Sequence, residues 1–210
     1  MATFAAADRV NSATSVSSSY ERFAGVCGIL TGVVGLVYAV AFVILRSPSL
    51  SALSLLLGGL LGTATLIAVY ARLRQTDASF AVLGLVLGVM GAMGAAIHAG
   101  YDLSNVLNPP SAVNLDLPSQ IDPRGMLTFG IAGLGLWVVA WLILRGGQFP
   151  RGLGYLGYIT AVLLIAVYLA RLIVLDASSP LVLAPAVLAG FIASPIWYVW
   201  LGLSLWRNTR

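Results

Sequence analysis

Three side chains in this sequence combine reactive or charged groups with a spacing that brings them together: His98, Asp102 and Arg171. A separation of four residues puts His98 and Asp102 on one face of a helix, provided that the helix continues past Tyr101. Arg171 closes another apolar segment, and a rise of about 1.5 Å per residue from Leu153 places it at the same level as His98. The spacing therefore predicts a site where two helix ends meet.

Two interpretations of this cluster stay open. In the functional one, His98 is a titratable or ligating group, Asp102 orients it, and Arg171 binds an anion or neutralises Asp102. In the structural one, an ion pair locks two helix ends and Arg171 extends to water. Tyr101 and Asp176 flank the cluster and complete the candidate ligand-binding set, and we predict that Arg171 pairs with Asp102 or Asp176.

Two pairs of tryptophans form a second candidate site. Trp137 and Trp141 lie four residues apart in one apolar segment, and Trp197 and Trp200 lie three apart in another. Both spacings put the partners on one helical face. Such pairs could line a pocket for a quinone, a carotenoid or a lipid, with core packing or lipid contact as the alternative.

The residue types that are missing exclude several chemistries. All eleven basic residues are arginines, so a Schiff-base lysine cannot exist. Cys27 is the single cysteine and His98 the single histidine, which excludes a disulfide within the chain, a thiolate metal cluster and an HExxH zinc site. Haem held by two histidines would need another subunit. We therefore expect no catalytic activity, metal or cofactor, and no nucleic-acid partner, because the arginines end apolar segments instead of forming a basic face.

Composition identifies the elements that must position these residues. Hydrophobic residues make up 60% of the chain and charged residues 9%, whereas soluble domains carry about 25% charged residues. Six apolar runs each have the length of about 20 residues that a membrane-spanning helix needs. They cover residues 23–45, 50–71, 79–100, 125–144, 153–175 and 181–206. The predicted fold is an all-α polytopic transmembrane helix bundle with about six spans.

The distribution of arginines predicts the orientation. With six spans, eight of the eleven arginines share the side of the two termini, and Arg46, Arg124 and Arg171 lie on the other. The positive-inside rule then places both termini in the cytoplasm. The expected layout is a polar cytoplasmic tail at 1–21 and one membrane domain at 22–210. Its extracytoplasmic loop, at 101–124, is apolar and proline-rich, so we expect it to be ordered over the helix ends.

Small residues and prolines predict how the spans pack. Gly84, Gly88 and Gly91 repeat on the third run at spacings that permit close approach of another helix. Pro185 and Pro195 each remove a backbone hydrogen bond from the sixth run and predict a distorted helix there.

Three segments carry a resemblance to a known family. RFAGVCGILTG near the start, PRGLGYLGYITA at residues 150–161 and SPIWYVWLGLSLW near the end resemble a family of bacterial six-helix inner-membrane proteins whose function is uncharacterised. The resemblance covers most of the chain after residue 20. It implies a multi-pass protein of the bacterial inner membrane and transfers no catalytic residues.

Two functional hypotheses follow from these observations. The first is a non-catalytic accessory or assembly subunit of a membrane complex, with membrane lipids and partner subunits as its contacts, because the spans are nearly free of charge. The alternative is a carrier or membrane enzyme that binds a small molecule, lipid or quinone at an extracytoplasmic site formed by His98, Asp102 and Arg171.

Overall fold

Six helices follow one another up and down in the computed structural model, which describes residues 17–109, 126–174 and 179–207. All regular secondary structure within these ranges is helical, which confirms the predicted all-α bundle. Each helix is long and apolar enough to cross a bilayer, so the chain is a multi-pass membrane protein. The helices are α1 (Ser18–Ile44), α2 (Pro48–Leu73), α3 (Ala78–Leu107), α4 (Phe129–Gly146), α5 (Arg151–Val174) and α6 (Pro180–Arg207).

The sequence explains where several helices begin and end. Pro48 and Pro180 occupy the first turns of α2 and α6, where the missing N–H has no helical partner to lose. The Asp77 carboxylate accepts hydrogen bonds from the backbone N–H groups of Ser79 and Phe80, both at 3.1 Å, and so caps α3. Gly147, with φ +69°, ends α4 in the left-handed conformation that glycine adopts without strain.

Two ends of the bundle are used as reference below. The terminal face is the end where α1 begins and α6 ends, and the distal face is the end that contains the connections α1–α2, α3–α4 and α5–α6. Residues 1–16 of the predicted tail lie outside the described residues, and α1 already begins at Ser18.

The third helix extends beyond the apolar run that predicted the third span. α3 continues to Leu107, so residues 101–107 of the predicted loop are helical. Hydropathy marks the thickness of the hydrocarbon layer, whereas a helix ends where its backbone hydrogen bonds end, and a polar last turn can extend beyond the hydrocarbon. Residues 110–124 of the predicted loop lie outside the described residues.

The six helices form a closed ring. Each helix packs against its neighbours in sequence, and α6 closes the ring by packing against both α1 and α5. The α1–α6 seam is the line of contact between these two helices. Along it, a Cβ atom added to Gly202 would lie 2.5 Å from the carbonyl oxygen of Gly25, and one added to Gly32 would lie 2.7 Å from the carbonyl oxygen of Pro195. Glycine is what permits this closeness.

The glycines of α3 pack in the same way. A Cβ atom on Gly91 would lie 2.5 Å from Ala132 of α4, and one on Gly135 would lie 2.7 Å from the backbone nitrogen of Gly88. The predicted close packing of the third span is confirmed. In α6, the segment Leu188–Ala193 winds as a π-helix between the two prolines, so the helix departs from regular α geometry there.

The terminal half of the ring is solidly filled. Large side chains from α2, α4, α5 and α6 are fully buried there, with Trp197 the largest. These large apolar groups pack closely against one another at this level. The fully buried leucines and isoleucine of this core are Leu73, Leu142, Ile143, Leu153, Leu201 and Leu205.

A buried ion pair fastens three helices at the terminal face. Arg72 of α2 donates two hydrogen bonds to the Glu21 carboxylate of α1, from Nε at 3.1 Å and from Nη2 at 2.9 Å. Nη2 also donates to the carbonyl oxygen of Leu205 in α6 at 3.3 Å, and the guanidinium lies 5.5 Å from the ring centre of Phe149. The sequence indicates a topological role for Arg72, but its side chain is 89% buried and joins α1, α2 and α6.

Candidate functional site

A central cavity of about 810 Å³ lies on the distal side of the ring and extends past its middle, to Leu66 of α2 and Gly88 of α3. All six helices contribute side chains to its wall. Along α1 the lining runs from Arg46 at the distal face to Thr31, a depth of about 22 Å at roughly 1.5 Å per residue. The hydrocarbon core of a bilayer is about 30 Å thick, so the cavity reaches its middle. The protein is therefore hollow on its distal side and packed at the terminal face.

Small side chains explain why the distal half is hollow. The wall contains many glycines, alanines and serines, which cannot fill the centre of a six-helix ring. At Gly35 and Gly58, an added Cβ atom would meet nothing within 4 Å, so both glycines face open space. Three π-helical segments, Val40–Ile44, Met126–Ile131 and Leu188–Ala193, also contribute to the wall. Such segments occur often at functional sites because they redirect side chains.

The floor of the cavity is Trp197. Its side chain is 99% buried, lines the cavity and packs edge-on against Tyr198, with ring centres 4.9 Å apart. Nε1 of Trp197 donates a hydrogen bond to the carbonyl oxygen of Leu153 at 3.1 Å. A Cβ atom on Gly157 would lie 3.0 Å from that nitrogen, so glycine there lets the indole reach α5. Because the indole N–H already has a hydrogen-bond partner, the apolar part of the ring can contact a ligand in the cavity.

His98 and Asp102 meet on α3 as predicted. Nε2 of His98 lies 3.3 Å from an Asp102 carboxylate oxygen, and both residues line the cavity. The side chain of His98 is largely buried, whereas that of Asp102 is 41% exposed. Tyr38 of α1 also lines the cavity and lies within electrostatic range of both Asp102 and Arg171. Proton exchange and hydrogen bonding to a ligand are the chemistry that this group supports.

Arg171 and Arg46 bring positive charge to the same level. Together with His98 and Asp102 they form what we call the rim of the cavity, at the distal face. Asp102 is in contact with His98, and the predicted pair of Arg171 with Asp102 is not formed. The partner of Asp102, His98, lies on the same helix, so this contact does not require α5 to come close. Asp176 lies outside the described residues.

The α1–α6 seam opens next to the rim. A Cβ atom on Gly190 of α6 would lie 3.3 Å from Cβ of Ala39, which keeps the helices in contact about two turns below Arg46. Beyond this point, the segment Pro180–Val187 packs against α5 instead. Phe42 of α1 and Leu183 of α6 line the cavity there, and both are partly exposed. The cavity is thus bordered by lipid-facing side chains as well as by the distal face.

The predicted aromatic pocket does not come together. Of the four tryptophans, Trp197 lines the cavity, whereas Trp137 and Trp200 are 45% and 37% exposed. Trp137 packs against Tyr158 with ring centres 4.9 Å apart, and Trp141 packs against Phe80 at the same distance. Tyr101 is 57% exposed and does not line the cavity. These exposed aromatics face the surroundings of the bundle and not its centre.

Two residues that line the cavity, Tyr38 and Arg46, were not predicted from the sequence. Arg46 counts there as a distal charge and Tyr38 as one tyrosine among eight. Position could have indicated them, because Tyr38 lies near the distal end of α1 and Arg46 lies just beyond it. Within the described ranges, no group of three histidine, cysteine, aspartate or glutamate side chains could hold a metal ion.

Comparisons with known proteins add no relative: no protein-family model, no curated protein and no solved structure matches the chain.

Proposed function

We propose that this chain is a bacterial inner-membrane protein that binds a small apolar or amphipathic molecule in its central cavity, without transforming it. The observation that carries the proposal is the cavity itself. Ligand pockets enclose about 300–1,000 Å³ and combine an apolar wall with a few placed polar groups. A cavity of about 810 Å³ with a polar rim and an apolar floor fits that description.

The proposed orientation places the rim outside the cytoplasm. Among the described residues, Arg22, Arg72, Arg74, Arg145, Arg151 and Arg207 lie at the terminal face, and Arg46 and Arg171 lie at the distal face. This asymmetry supports a cytoplasmic terminal face. We expect alkaline phosphatase fused at residue 114 to be active and the same enzyme fused after Arg210 to be inactive. An inactive fusion at residue 114 with an active one after Arg210 would reverse the orientation.

Filling the cavity should abolish binding. Gly58→Leu adds a side chain where a Cβ atom meets nothing within 4 Å inside the cavity. We expect this variant, in nanodiscs of neutral lipid, to bind tritiated dodecanol at least about tenfold more weakly than the unmodified protein, because the chain and the leucine compete for one space. Binding is measured by scintillation counting after subtraction of uptake by empty nanodiscs.

The matched control is Gly100→Leu. Gly100 also has nothing within 4 Å of an added Cβ atom, but it does not line the cavity. This variant should bind dodecanol as the unmodified protein does. Equal binding by all three proteins would mean that dodecanol sits elsewhere and would contradict the proposal.

The accessory-subunit hypothesis stays a prediction. Proteins that co-purify in mild detergent from native membranes in fixed proportion would support it. Small molecules extracted from the same sample, and absent from Gly58→Leu, would support a binding function.

A further inference from the structure

We propose that the ligand of the cavity is an anionic amphiphile, whose headgroup is held between Arg46 and Arg171 and whose chain lies in the apolar depth below. This inference rests on the proposed binding function and adds the chemical class of the ligand.

The first step is the charge of the rim. Arg46 and Arg171 each contribute +1 and Asp102 contributes −1, so the rim carries +1 when His98 is neutral. Neither arginine forms an ion pair with another described residue. Guanidinium groups bind carboxylates and phosphates with two parallel hydrogen bonds. Two guanidiniums at one cavity opening are therefore suited to an anionic headgroup.

The second step is the backbone of Arg46. Its φ of 48° lies in the left-handed region, and it is the single non-glycine residue with positive φ in the described ranges. The residue ends α1, where the N–H of Ser47 donates to the carbonyl oxygen of Ala41 at 3.0 Å. Helices that end in this way favour glycine at the left-handed position. The structure thus holds a cationic side chain at the rim where the backbone alone favours glycine.

The third step is the apolar path from the bilayer. Phe42, Val43, Leu183 and Val187 line the cavity where the α1–α6 seam opens, and all four are at least one-third exposed. A chain can pass from lipid into the cavity over these side chains without leaving an apolar environment. The headgroup then remains at the level of the rim. This arrangement suits an amphiphile better than a free anion, which gains nothing from the apolar depth.

The test compares two probes with the same chain. Tritiated dodecyl phosphate and tritiated dodecanol are measured on the protein in nanodiscs of neutral lipid, with uptake by empty nanodiscs subtracted. We expect dodecyl phosphate to bind at least about tenfold more tightly than dodecanol. Arg46→Gln and Arg171→Gln should each weaken dodecyl phosphate about tenfold and leave dodecanol unchanged. Arg207→Gln, an exposed arginine of the terminal face, is the control and should change neither probe.

The variant Arg46→Gly tests whether weaker binding by Arg46→Gln comes from the lost charge or from misfolding. It removes the charge while giving the backbone the residue that its φ favours, so it should bind dodecyl phosphate as weakly as Arg46→Gln does and unfold at a higher temperature. An excess of inorganic phosphate should not displace dodecyl phosphate. Full displacement would mean that the site takes a free anion and would overturn the amphiphile.

The outcomes separate the two proposals. If both probes bind equally, or if the arginine variants weaken both alike, the headgroup inference is wrong. The cavity function survives that result so long as Gly58→Leu abolishes binding of both probes. If Gly58→Leu binds both probes normally, the cavity function itself is wrong.

Discussion

Replacing Arg72 by leucine is expected to lower the free energy of unfolding by about 3 kcal/mol. The change leaves the Glu21 carboxylate without its cation while 82% of that side chain stays buried, and it removes the donor to the carbonyl oxygen of Leu205. A buried charge without its partner is costly because neither water nor protein solvates it. Unfolding in detergent, followed by tryptophan fluorescence, measures the loss.

Removing both charges should restore much of the stability. In the double variant Arg72→Leu with Glu21→Leu, apolar groups replace the pair, so we expect a loss of about 1 kcal/mol. Arg207→Leu, an exposed arginine at the same face, should stay within about 0.5 kcal/mol of the unmodified protein. A double variant as unstable as the sum of its single variants would show that the two charges do not interact.

Gly202→Ala is expected to cost about 2–3 kcal/mol by forcing the α1–α6 seam apart. The added Cβ atom would lie 2.5 Å from the carbonyl oxygen of Gly25 and 2.6 Å from the backbone nitrogen of Ile29. Both obstacles are backbone atoms of a helix, which cannot yield without moving α1. Thermal unfolding in detergent, with size-exclusion chromatography to confirm folding, measures the effect.

The control for Gly202→Ala has the opposite expected sign. Gly100→Ala makes the same chemical change where the new methyl group meets nothing within 4 Å. There the higher helix propensity of alanine acts alone and should stabilise the protein by about 0.5–1 kcal/mol. If both alanines shift the unfolding temperature alike, close packing at Gly202 does not determine the stability of the ring.

The features that sequence analysis predicted correctly depend on local spacing. Apolar runs of about 20 residues predict six spans because backbone groups in hydrocarbon require helices. The contact between His98 and Asp102 follows from a separation of four residues on one helix. The glycines of α3 mark a packing face for the same reason, since their spacing repeats once per helical turn.

The features that escaped prediction depend on how the helices are rotated. A membrane helix is apolar toward lipid and toward its neighbours, so the sequence does not distinguish buried Trp197 from exposed Trp137. Glu21 and Arg72 are separated by 51 positions, and each alone indicates only a helix end. The cavity is harder still to predict, because small residues indicate tight packing in α3 and open space at Gly35 and Gly58.

The position of the rim also determines how the membrane voltage would act on a ligand held there. The cavity reaches the distal face at exposed Arg46, and the core around Trp197 and Leu153 separates it from the terminal face. An elementary charge that crosses the whole membrane exchanges about 2.3 kcal/mol per 100 mV, whereas a charge at the rim crosses none of the apolar depth. Under the proposed function, an anion at the rim therefore stays at the potential of the distal side, and its affinity is nearly independent of voltage.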